Sequence, residues 1–224
     1  MKKIKNGMLL IVLLLVSCAG SMRESLRADH SSESYTHYIL AVEAEQEFNW
    51  EEALTQMNLA LKEDPGSSYL KTEISQLYLR MNRLEDAVKT AEEVVQDDPG
   101  YEPALSLLGR LYSSQKEFQK AIDMYAKVIK HDPSKVEAYI HLAYMYTLND
   151  QRDKAVQVLK DAITLEPYNA MARYYLGRIY IESKEFDKAI VELKKAVEIN
   201  QAFVDSYYLL GAAYESMDDA DNAI

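Results

Sequence analysis

The side chains with chemistry beyond packing are four histidines, one cysteine, and an ample supply of tyrosine and arginine. His30 lies in a polar N-terminal stretch, His37 heads a helical segment, and His131 precedes the turn Asp132-Pro133. His141 has no second histidine at ligand-like spacing. None of the four is therefore assigned metal or acid–base work. A single cysteine, Cys18, excludes an intramolecular disulfide and any CxxC zinc or redox site. There is no glycine-rich phosphate loop and no GxSxG nucleophile elbow. The expectation is no catalytic residue, no metal, no cofactor and no small-molecule substrate. The chemistry left is recognition. The chain holds 17 tyrosines. Tyrosine offers a large rigid face with a polar tip, and arginine a planar fork, and both are enriched where interfaces hold their energy.

What positions these residues is a repeat. Asp64-Pro65, Asp98-Pro99, Asp132-Pro133 and Glu166-Pro167 recur every 34 residues. Ala53, Ala87, Ala121, Ala155, Ala189 and Ala223 keep the same beat. A fixed period of this length marks stacked supersecondary units, each of which leaves an apolar face that its neighbour covers. Only seven glycines and five prolines occur, which suits helices. The net charge of −11 gives no footprint for nucleic acid, whose binding needs clustered Lys and Arg.

Units starting near Ser34, Ser68, Glu102, Val136, Ala170 and Val204 put a small residue at position 8 and alanine at position 20. Position 7 is Leu40, Ile74, Leu108, Leu142, Leu176 and Leu210, and position 11 is tyrosine in every unit after the first. This pattern resembles the tetratricopeptide repeat. The resemblance implies an all-α, right-handed superhelical solenoid of antiparallel helix pairs, about five and a half repeats over 34–224. Small residues at 8 and 20 let the two helices of a unit approach closely. The position-11 tyrosines are assigned to the core. Departures are expected to show locally. Arg152 replaces an apolar residue at position 17 and predicts a looser turn, and Gln201 stands where a fifth proline would fall. His37 and Ala44 suit a terminal unit. The last unit stops at Ile224, short of a finished second helix. The chain is therefore expected to be a fragment of a longer array, or to have its open end covered by a partner or second copy.

In the family, the first helix of each unit lines a concave face through positions such as 5 and 9. Carried onto this sequence, the protein-binding groove is expected at Tyr38, Gln76, Arg110, Tyr144, Tyr174, Arg178 and Tyr208. Pairing of Arg110 and Arg178 with helix-surface acids is the alternative. The Lys-and-Asn pattern with which chaperone-binding members hold a terminal carboxylate is absent.

The N-terminus reads as an export signal. Lys2, Lys3 and Lys5 precede the apolar run from Met8 to Val16, which is too short to span a bilayer. Leu15-Val16-Ser17-Cys18 resembles the bacterial lipoprotein signal. That implies a signal peptide at 1–17, lipidation of Cys18, and a flexible tether at 18–33 reaching about 50 Å when extended. Ala19 after the cysteine favours the periplasmic face of the outer membrane. The whole resembles repeat lipoproteins that help to assemble envelope machines such as type IV pili or outer-membrane complexes. Its expected partner is a peptide or helix of another envelope protein. Two alternatives stay open: the N-terminal part of a longer repeat protein in polysaccharide export or biosynthesis, or one with an enzymatic or sensor domain after residue 224.

Overall fold

The computed structural model describes residues 32–217, and these are helices joined by short turns. They divide into two compact units, one ending at Asp97 and the other beginning at Asp98. Among the described residues, no helix is long and apolar enough to cross a membrane.

The first unit holds α1 (32–46), α2 (Trp50–Glu63), α3 (Ser68–Arg80) and α4 (Leu84–Asp97). Ala41, Ala53, Met57 and Ala60 close against Ile74 and Leu77 in its core. Tyr38, Trp50 and Tyr78 pack on the rim of that core. The second unit holds α5 (Glu102–Ser114), α6 (Phe118–His131), α7 (Val136–Leu148), α8 (Arg152–Leu165), α9 (Ala170–Glu182), α10 (Phe186–Ile199) and α11 (Val204–Ser216). Each helix packs on the next, and α9 also touches α7 and α11. Such short connections force consecutive helices to run antiparallel. The paired-helix, all-α class that the repeat predicts is the class observed.

Every turn within a pair is built alike. Phe48, Asn82, Lys116, Asp150 and Lys184 take positive φ, between 55° and 61°. The next amide then donates back five residues, as Glu117 N does to the Tyr112 carbonyl at 2.9 Å. This is the left-handed cap that satisfies carbonyls left open at a helix end, here without glycine. It also corrects an expectation. The turn before Arg152 is no looser than the others, because Gln151 N reaches the Tyr146 carbonyl at 2.8 Å. The backbone cap sets that turn, and Arg152 lies alongside Asp150 and Glu182.

Turns between pairs use the acid of the Asp-Pro phrase. The Asp132 carboxylate accepts from Ser134 N at 3.0 Å, and the Asp132 carbonyl accepts from Lys135 N at 3.2 Å. The Ser134 hydroxyl, which donates to the Asp132 carboxylate at 2.6 Å, and then the Ser134 amide hold Asp132 below the usual carboxylate range. Asn200 does the equivalent work beside Gln201: its side chain accepts from Ala202 N, and its carbonyl from Phe203 N. Proline is dispensable there because an Asx residue already closes the turn.

Positions 8 and 24 trade volume across each pair. Gly109 faces the Tyr125 ring, Gly177 faces Leu193, and Ser75 donates to the Ala87 carbonyl at 2.6 Å. Three position-11 tyrosines, Tyr112, Tyr180 and Tyr214, are buried, whereas Tyr78 and Tyr146 are half-buried. Cations cover several of these rings, Lys120 over Tyr112, Lys154 over Tyr146 and Lys188 over Tyr180. Leu40, the position-7 residue of the first pair, is 41% exposed and does not join the core.

Candidate functional site

In the first unit the structure separates the two expected groove residues. Tyr38 on α1 meets Tyr69 on α3 edge-on, with the two hydroxyls 2.5 Å apart. They wall a cleft of about 800 Å³ that Tyr35, Lys62, Pro65 and Leu70 also line. Gln76 instead turns to its own helix and donates to Glu73 Oε1 at 3.0 Å. Burial and the nearby Glu45 push the Glu73 carboxyl up, so that hydrogen bond steadies a carboxylate held at some cost.

The second unit gathers more. Arg178 and Tyr175 are three residues apart on α9, so they share a face. The Arg178 guanidinium lies 4.9 Å from the Tyr175 ring centre and 5.5 Å from that of Tyr144 on α7. Tyr144 and Tyr175 are 6.1 Å apart, Tyr175 and Tyr174 5.3 Å, and Tyr174 and Phe203 4.8 Å. Four rings thus run in a line with one guanidinium against two of them. Such a surface supplies stacking, apolar area and a cation, the usual means of holding a peptide. Tyr208 on α11 is 77% exposed and has no part in these ring contacts.

Tyr175 and Phe203 were not singled out in the sequence, since neither occupies the positions assigned to the groove. A signal was nonetheless present. Tyr174-Tyr175 is a doublet, and Tyr144 stands one period before Arg178.

Arg110 stands apart from that cluster, in a pocket of about 260 Å³ formed by α5, α6 and α7. Tyr125 forms one wall and stacks on the His141 ring at 5.2 Å, with 21° between planes. Burial pushes the Tyr125 hydroxyl up to about 12, so it remains a donor at any physiological pH. Burial and the Arg110 charge hold His141 below its usual value, against the pull of Glu137. Lys135 and Glu102 face each other across the mouth at 3.8 Å. The pocket can accept one polar side chain. Among the described residues, no three His, Cys, Asp or Glu side chains are grouped to hold a metal ion. Cys18 lies outside the described residues.

Comparison with known proteins places this geometry in context. A family model described as "Psidin, N-terminal TPR repeats region" matches residues 43–179, and one described as "TPR repeat" matches residues 177–218. No curated protein matches the chain. A crystal structure of MamA protein is similar at 28% identity and a TM-score of 0.63, over 70% of this chain and 85% of that one. YrrB, titled "a TPR protein with an unusual peptide-binding site", superposes with a TM-score of 0.61 at 19% identity, over 75% and 87% of the two chains. PilF of Pseudomonas aeruginosa superposes with a TM-score of 0.71 at 14% identity, over 87% and 89%.

Proposed function

The chain belongs to the tetratricopeptide-repeat family, and from that premise we propose that it is a non-enzymatic scaffold whose second unit binds a peptide segment of a partner protein. The observation that carries this reading is the line of Tyr144, Tyr175, Tyr174 and Phe203 with Arg178 against it. Rings of this kind bury area at low entropic cost, because each has only two rotatable bonds. The unusual peptide-binding site of YrrB, which shares the fold, supports the same use of it. Peptide display on the immobilised protein should enrich defined sequences. The pair Tyr144→Ala and Tyr175→Ala should abolish that enrichment while the helical circular-dichroism signal is retained. Equal enrichment on both proteins would refute the assignment.

The reading extends to location. The segment 1–17 is a signal peptide and Cys18 carries lipid. The chain from 18 to the start of α1 at 32, which comes two residues before the expected start of the repeats at 34, tethers them to the membrane, so the partner is another envelope protein. Support for this lies in the Leu15-Val16-Ser17-Cys18 sequence and in the position of the only cysteine. Cys18→Ala should abolish palmitate labelling and leave unprocessed precursor. Continued labelling of the variant would sink the lipid anchor.

A further inference from the structure

Six arginines fall among the described residues. Arg80 pairs with Glu45, Arg83 with Asp86, Arg152 with Asp150 and Arg173 with Glu192. The other two differ. Arg110 makes no hydrogen bond or ion pair among the described residues and faces the pocket between α5 and α7. Arg178 keeps its Nε buried and without a hydrogen bond. Its one acid, Glu182, is 3.7 Å away and also lies 4.0 Å from Arg152. The buried Arg178 Nε, with its nearest acceptor no closer than Glu182, gains from a ligand that supplies a closer one, and the exposed Arg110 guanidinium is open to a ligand at the pocket.

Both arginines occupy the same repeat position, the ninth, on α5 and α9. Tyr144 occupies it on α7, between them. Arg178 sits against the Tyr144 ring. Arg110 acts on His141, one helical turn before Tyr144. The three form a stripe, Arg–Tyr–Arg, within the second unit. We propose that this stripe reads an extended partner segment carrying two carboxylate side chains, one for each guanidinium, with uncharged residues between them.

The spacing follows from packing. Directly packed helices lie about 8–10 Å apart; α7 and α9 touch, while α5 reaches α7 through α6, so two steps along the stripe cover at least about 16–20 Å. An extended chain rises about 3.3 Å per residue, which sets the carboxylates at least five or six residues apart. Six keeps both on one side of the segment, because side chains alternate. The surroundings argue against a denser anion. Glu102 and Glu137 share the Arg110 pocket, Glu182 lies beside Arg178, and the chain carries a net charge of −11. A polyanion would be repelled, whereas single carboxylates each gain a planar, two-pronged partner. The pocket of about 260 Å³ suits one side chain.

This proposal rests on the scaffold reading, and its test separates the two. Fluorescein-labelled Ser/Thr/Gln peptides of 12 residues are titrated against the full chain by anisotropy. One carries Glu at i and i+6, one carries Glu at i and i+3, and one carries Gln at both places. The i, i+6 peptide should bind, and more weakly as salt rises. Each of Arg110→Gln and Arg178→Gln should weaken it about tenfold, the usual scale of a charge-assisted pair. The i, i+3 peptide should bind wild type about as weakly as the longer-spaced peptide binds a single variant. Equal binding of the Glu and Gln peptides, no binding of the i, i+6 peptide, or unchanged binding by the double variant would overturn the proposal. Display that enriches uncharged sequences in a Tyr144-dependent way would overturn it too, while leaving the scaffold reading intact. Failure of display to enrich any sequence would remove the scaffold reading itself.

Discussion

Gly177→Ala probes how closely α9 and α10 approach. In an unconstrained helix interior this change stabilises by about 1 kcal/mol, since alanine is the better helix former. Here the new methyl would stand 2.6 Å from Leu193 Cγ, 2.9 Å from Cδ2 and 3.4 Å from the Ala189 carbonyl. Leu193 and Ala189 are fully buried, so neither side chain has open space to enter. Overpacking of this kind costs about 1–3 kcal/mol, which outweighs the propensity gain. Two contacts under 3.0 Å against a buried side chain put the cost in the upper part of that range, about 2–3 kcal/mol, so the expected net loss is about 1–2 kcal/mol, or a few degrees in Tm for a unit of this size. Thermal and urea unfolding followed by circular dichroism would measure it. Leu193→Ala alone should cost about 2–5 kcal/mol. The double variant should cost less than the sum, because the alanine methyl fills part of the space the leucine vacates. Gly66→Ala is the control, with nothing within 4 Å of its added carbon and no positive φ, and it should gain about 0.4–1 kcal/mol. A Gly177→Ala protein as stable as wild type, with additive costs in the double variant, would refute the close-approach argument.

Other perturbations test other parts of the account. Ala121→Leu places a large side chain at a fully buried position and should lower stability by about 1–3 kcal/mol; an unchanged Tm would contradict the close packing of α6. Lys116→Gly relieves a left-handed non-glycine residue, and after glycine's entropic cost a gain of a few tenths to about 1 kcal/mol is expected in urea unfolding; destabilisation would contradict the cap geometry. His141 has a folded-state pKa below its unfolded value, so its contribution is fully present above about pH 6.5 and falls as pH drops from there towards the folded value. An NMR titration should place His141 below an ordinary histidine, and Arg110→Gln should raise it. A histidine unmoved by that substitution would separate Arg110 from the pocket.

The period made the paired helices legible, because proline and alanine punctuate a helix hairpin for physical reasons that survive without an alignment. The left-handed caps were not legible. Glycine normally marks them, and here Phe48, Asn82, Lys116, Asp150 and Lys184 carry the strain instead. The looseness expected at Arg152 failed for the same reason, since the backbone closes that turn whatever side chain follows. Leu40 followed the apolar pattern yet stays exposed, because a pattern names a helix face and not what covers it. At the candidate site, the residue types were legible and their company was not. His141 looked isolated in sequence because its stacking partner, Tyr125, belongs to the preceding pair. Tyr175 and Phe203 escaped notice because adjacency between helices, rather than repeat position, brings them to Tyr144 and Tyr174.

The central claim is that the tyrosine–arginine face of the second unit is where a partner sits. Site-specific photocrosslinking in the native cell tests it most directly, with benzoylphenylalanine placed at Tyr174, at Tyr208 or at Tyr168. Tyr168 is 84% exposed in the turn between α8 and α9 and serves as the off-site control. The account predicts adducts to one partner peptide from positions 174 and 208, lost when Tyr144→Ala and Tyr175→Ala are introduced, and none from position 168. Adducts from position 168 alone, or adducts at 174 and 208 that survive the double substitution, would contradict it.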